Sequence, residues 1–107
     1  MKFILDLPYV DKKVVFSIDN AVIKHEEQKE QTGIRDYWHI VLTMLDSEAD
    51  AFMLFFKAIR GGFYPFIFEN DNVTYEVHSK MDYCPVTHFS NNTNLAAITI
   101  ETSKTRK

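Results

Sequence analysis

Asp46-Ser47-Glu48-Ala49-Asp50-Ala51-Phe52-Met53-Leu54-Phe55-Phe56-Lys57-Ala58-Ile59-Arg60-Gly61-Gly62 is the stretch on which the reading of this chain turns. Ala49, Phe52, Met53, Phe56 and Ile59 recur at the three- and four-residue spacing of a helix with one buried face, and Phe55 widens that stripe. Asp46 or Ser47 supplies the cap, and Asp50 stands where a capping box usually carries Glu or Gln. Glu48 and Asp50 in the first turn, with Lys57 and Arg60 in the last, complement the helix dipole. Gly61 suits the left-handed conformation that ends such a helix. The stretch predicts one α-helix over residues 47–60, packed through Phe52, Met53, Phe56 and Ile59.

On either side the apolar period shortens to two, the period of strands. Val14, Phe16 and Ile18 share one face of a strand over residues 13–18. After Ala21-Val22-Ile23 the chain turns wholly polar through Lys24, His25, Glu26, Glu27, Gln28, Lys29 and Glu30, leaving a helix nothing to bury beyond its first turn. Residues 24–33 are therefore expected to be an exposed polar arm or hairpin tip. Ile34 to Leu45 forms a long strand with Trp38, Ile40, Leu42 and Met44 on one face; at ~3.3 Å per residue it spans ~40 Å, long for a small domain. After the helix, Phe63 to Phe68 reads as a strand entered through Pro65, and Glu69 to Asn72 as a turn. A returning strand through Val73, Tyr75 and Val77 runs towards Tyr83. Cys84 to Asn94 is expected to be a loop, Leu95 to Thr102 a last strand, and residues 103–107 a frayed charged end. The fold class expected is mainly β (α+β): an antiparallel β-sandwich or open barrel with one flanking helix, as a single domain over residues 1–107.

Composition narrows the function classes. The 107 residues carry a net charge of −3 and scattered basic side chains, which disfavours a nucleic-acid binder needing a basic stripe. A single cysteine excludes an internal disulfide and fits a reducing compartment. The apolar start is too short for a signal segment, and no run reaches membrane-spanning length, so synthesis in the cytoplasm is expected.

Candidate chemistry is sparse. His78, Cys84 and His88 are close in sequence but lack the tight spacing that makes a metal site specific. Cys84 with His88 has no setting that would activate a thiol. Asp71, Asp82 and Glu69 are loop carboxylates without partners that would raise their pKa values. Gly61-Gly62 follows a helix and so forms no phosphate cradle. No catalytic residue, metal ligand or cofactor is expected.

The segment from Arg35-Asp36-Tyr37, through Asp46-Ser47-Glu48-Ala49 and the helix exit Gly61, Gly62 and Phe63, to the aromatic strand with Phe66 and Phe68, resembles the small tail-tip proteins of long-tailed bacteriophages. These are the minor tail protein M family of lambda-like phages and the related distal-tail proteins. The likeness covers residues 34–68, and the 84–94 segment departs from it. It implies a tail-tube type fold, a ring of six subunits docked to other tail proteins, and a lumen through which DNA passes without specific binding. It implies no enzyme activity, small-molecule substrate or membrane partner, and a location in the virion tail after synthesis in the bacterial cytoplasm. In such a ring Glu26, Glu27, Lys29 and Glu30 would form an assembly or lumen arm, their carboxylates repelling DNA. The competing expectation is a small ligand-binding β-barrel with Trp38, Phe66 and Tyr75 lining a pocket.

Overall fold

Alternating apolar residues put nearly everything outside the helix into strands. The computed structural model describes Met1–Lys107 and contains β1 (Lys2–Leu7), β2 (Lys12–Ser17), β3 (Ala21–Glu30), β4 (Gly33–Met44), α1 (Asp46–Ala58), β5 (Phe66–Asn70), β6 (Val73–Ser79), β7 (Thr87–Ser90) and β8 (Thr93–Thr102). All eight strands join one antiparallel sheet in the order β2-β1-β5-β6-β8-β4-β3, with β7 added to β8. Its ends, β2 and β3, do not pair, so the sheet is not closed into a barrel. It curls instead: α1 touches β2 at one edge and β4 and β8 towards the other.

Register explains the core. Phe16, Phe3 and Phe68 lie opposite one another across β2, β1 and β5, and Tyr75 of β6 lies opposite Phe68. From α1, Phe52 meets Phe16 with ring centres 5.4 Å apart, and Phe55 meets Phe3 at 5.7 Å and Phe66 at 5.2 Å. Beyond them Trp38 stands 4.6 Å from Tyr75 and 5.2 Å from Phe68. These are separations at which aromatic pairs add to plain area burial.

The buried face of α1 is Ala49, Phe52, Phe55 and Ile59, with Phe56 half-buried. Met53, expected in that face, is 56% exposed. Three- and four-residue spacing leaves a choice of about one position in where the stripe is centred, and it is the ring of Phe55 that packs over the paired strands β1 and β5, against Phe3 and Phe66. The cap also differs from expectation. Leu45 is the extended N-cap residue, and Glu48 Oε1 accepts its N–H at 2.8 Å. The Asp46 N–H is satisfied from across the fold by Asn92 Oδ1 at 2.9 Å. At the other end Arg60, not Gly61, is the first left-handed residue (φ 52°); its N–H bonds to Lys57 O and that of Gly61 to Phe56 O. This is the Schellman pattern. Gly61 is left-handed as well (φ 61°), as expected, and close packing adds a second demand for both glycines: a Cβ on Gly61 would lie 2.9 Å from the Asp82 backbone, and one on Gly62 2.8 Å from Ser79 O.

One strand had no expectation, and three further expectations are corrected. Residues 2–7 form a core strand, with Phe3 and Leu5 buried; its alternation supplies only two buried residues before Asp6, too few to signal a strand. Phe63 is exposed on a turn, and the strand after the helix starts only at Phe66, since Pro65 and the close glycines hold 61–64 against residues 79–82. The 84–94 segment contains β7, which turns at Asn91-Asn92 and pairs with the start of β8; Asn92 takes positive φ there as a short polar side chain tolerates. The C-terminus is not frayed. Arg106 and Ile34 exchange backbone hydrogen bonds on the β8 side of β4, and the Thr105 hydroxyl meets Thr32. A Cβ on Gly33 would come within 2.3 Å of Arg106 O, so Gly33 is what lets this strap lie against the sheet.

Candidate functional site

Residues 24–33 do not leave the body as a free arm. They form the outer half of the β3–β4 hairpin, which pairs without interruption from Ala21–Leu42 to Glu30–Gly33. Every carboxylate in the segment is matched within the chain. Glu26 Oε2 lies 3.0 Å from His39 Nε2, Glu27 Oε1 2.6 Å from Arg106 Nη2, and Glu30 2.9 Å from Arg35 Nε. Lys29 is exposed opposite Ile34. The hydrogen bond from His39 holds the Glu26 carboxyl below its usual pKa. Lys24, Lys29 and Arg35 leave one of the four carboxylates Glu26, Glu27, Glu30 and Asp36 unmatched within the hairpin, and the docked Arg106 balances it. A repulsive lumen wall needs unmatched negative charge, so that part of the expectation loses its physical basis.

The hairpin's focus is Asp36, which spacing does not single out. Its side chain is only 5% exposed. Asp36 Oδ1 accepts a hydrogen bond at 2.8 Å from His25 Nε2, and Oδ2 one at 2.9 Å from Arg106 Nε. Burial alone would raise its pKa, but Arg106 and then His25 outweigh it, and the carboxyl sits below its ordinary value of 3.8. The His25 ring stacks on Trp38 with centres 5.1 Å apart, so the aromatic path across the sheet ends at this cluster. One potential metal-ligating atom each from His25, Glu27 and Asp36 all fall within 4.8 Å of one another. Sequence reading passed over the group because residues 25, 27 and 36 meet only through hairpin register. Arg106, seventy positions from Asp36, is brought there only by the tertiary fold.

The residues that proximity did suggest are kept apart. His78 bonds Glu101 at 2.8 Å, His88 contacts Asn94 and Asp46, and the Cys84 thiol donates to Ala97 O at 3.3 Å. Burial pushes the Cys84 thiol up to about 11, which leaves no thiolate near neutral pH.

A second feature lies on the outer side of α1. Phe52, Met53, Leu54, Phe56, Tyr83 and Cys84 line an open groove of about 530 Å³, edged by Asp50 and Lys57. Leu54 is 67% and Tyr83 76% exposed, so this face offers apolar surface to solvent where a self-sufficient helix would be polar. By contrast, Trp38 and Phe66 are buried in the packed core and Tyr75 is half-buried against Trp38. Phe66 and Tyr75 edge two different open surface pockets, so the three rings do not converge on one apolar cavity.

No protein-family model matches the chain, and comparison with curated proteins and with solved structures found no match either.

Proposed function

We propose that this chain is a structural subunit of a phage or prophage tail, in the tail-tip or distal ring, acting by self-assembly and by docking to other tail proteins. The observation that carries this reading is the apolar groove outside α1, where Met53, Leu54 and Tyr83 stand exposed beside a filled core. Such a face costs solubility in a monomer and gains meaning when a neighbour covers it. The open sheet supports the same reading, since its unpaired ends at β2 and β3 offer a neighbour further backbone to approach. The resemblance of residues 34–68 to tail-tip proteins supplies the assembly; no site chemistry enters the proposal.

Sedimentation and electron microscopy of the purified chain, alone and with candidate tail proteins, test it. Closed oligomers or co-assembly that Leu54→Glu abolishes are expected. A chain that stays monomeric at high concentration and ignores every tail component defeats the proposal.

A second reading, a small ligand-binding module, is favoured by the groove's size, which falls in the range of small-molecule sites. It requires the groove to hold an apolar small molecule. Native mass spectrometry showing one stoichiometric ligand, lost in Leu54→Glu, would put that reading first.

A further inference from the structure

The hairpin cluster gathers two carboxylates and an imidazole around a cation that the chain supplies from residues 103–107. Asp36 is buried and ionised, Glu27 lies directly opposite it across the β3–β4 ladder, and His25 sits two residues along the same strand. Into this group of two carboxylates and one imidazole the strap places a guanidinium, Arg106, bonded to Asp36 Oδ1 and Oδ2 and to Glu27 Oε1. The guanidinium shows that the position attracts positive charge. The set of donors adds something a guanidinium cannot use: an imidazole, stacked on Trp38, whose Nε2 offers a lone pair to a metal once its proton moves to Nδ1. One nitrogen and two carboxylate oxygens suit a divalent ion of borderline softness such as Zn²⁺ or Co²⁺, leaving a coordination position for water.

We propose that His25, Glu27 and Asp36 form a divalent transition-metal site for which Arg106 is the resident competitor, so that metal binding and docking of residues 103–107 exclude each other. Metal–ligand bonds of about 2.0–2.2 Å set the donors of a tetrahedral site roughly 3.3–3.6 Å apart, so donors that now lie within 4.8 Å of one another, with His25 and Asp36 at 2.8 Å, must readjust around an ion. The half-exposed side chains of His25 and Glu27 are free to make that movement, while Asp36 is held. The strap is the element that yields. It is tied by the Ile34 pairing, the Thr105 hydroxyl and the Arg106 ion pairs, and contributes no side chain to the hydrophobic core. When the guanidinium leaves, the two carboxylates keep a neutralising cation and Asp36 is not stranded, which is the condition under which an exchange is affordable for a buried charge. Unlike the groove, this site predicts a behaviour independent of whether the protein builds a tail.

Cobalt supplies the probe, because its visible absorption reports a low-coordinate nitrogen–oxygen site directly. Titration of full-length wild type, Arg106→Ala, Arg106→Lys and Arg106→Ala/His25→Gln, each with its fold checked by amide NMR, tests the idea. The expected result is one Co²⁺ per chain, bound about tenfold tighter by Arg106→Ala than by wild type. Arg106→Lys should stay near wild type, and the added His25→Gln should cost about tenfold or more. His78→Gln, whose ring pairs with Glu101 instead, should change nothing. Metal-loaded wild type should also become cleavable by trypsin after Lys104, as the strap lifts. Equal affinity in wild type and Arg106→Ala, binding indifferent to His25→Gln, or no uptake by Arg106→Ala at millimolar Co²⁺ would each overturn the proposal.

Discussion

The two ends of this molecule are held by different forces. Around α1 the contacts are rings: Phe52, Phe55, Phe3, Phe16, Phe66 and Phe68, all without polar atoms and nearly all without exposure. Around the outer β3–β4 hairpin the contacts are charges: Asp36, His25, Glu27, Arg106, Glu30 and Arg35, joined by hydrogen bonds of 2.6–3.2 Å. The first kind of cohesion is non-directional, insensitive to pH and salt, and proportional to area removed from water. The second depends on single atoms being in place and on protonation state. Solvent-exposed ion pairs among them contribute little; the one that matters most is the buried carboxylate that must not be left unpaired. The difference teaches where the protein can give way locally without unfolding.

Phe55→Ala attacks the aromatic end and should have the largest effect, about 3–5 kcal/mol of unfolding free energy by denaturant titration. A loss below about 1 kcal/mol would mean that the helix is not clamped by Phe3 and Phe66 as described. Gly33→Ala attacks the other end through sterics alone. The added methyl, at a backbone φ of 139°, meets Arg106 O, so the strap should detach at a cost of about 1–3 kcal/mol. Hydrogen exchange at the amides of Ile34 and Arg106 should quicken while core amides such as that of Ile98 keep their protection; uniform quickening would erase the distinction between the ends.

Acid separates the two ends by charge. Asp36 has a folded pKa below its unfolded value, so the stability it contributes is fully present above the ordinary carboxylate range near 3.8 and is lost as pH falls through the lower folded value. Strap protection in wild type should therefore fall below about pH 4, and Asp36→Asn, already weakened at neutral pH, should show less of that fall. Identical pH profiles for the two proteins would show that another group carries the dependence. The smallest effect on stability belongs to Met53→Glu, within about 0.5 kcal/mol, because Met53 lies outside the core. The same substitution should nevertheless reduce association if the groove is an interface, which sedimentation measures.

Much of the fold was legible because local periodicity reports local structure. The helix announced itself through Phe52, Phe56 and Ile59, the long strand through Trp38, Ile40, Leu42 and Met44, and the last strand through Ala96, Ile98 and Ile100. The centre of the helix stripe was not, because choosing Phe55 over Met53 requires knowing which partner strands face it. Nor was β7, whose four residues are all exposed and whose reason to be a strand is its neighbour, β8. The Gly61-Gly62 pair was visible as a helix exit, but the backbone at Ser79 and Asp82 that forbids side chains there lies in another part of the chain.

The candidate site divides the same way. Sequence alone determined a β-rich, antiparallel domain with one amphipathic helix, because alternation and helical spacing act between residues a few positions apart. It also showed a polar segment that no hydrophobic core could hold. Only the tertiary structure decided that this segment is the hairpin end and not a free arm, that Asp36 is its buried centre, and that Arg106 completes its charge balance. Ion pairs between residues as far apart as 36 and 106 leave no periodic trace, since their geometry is set by register and by a glycine that lets two backbones touch.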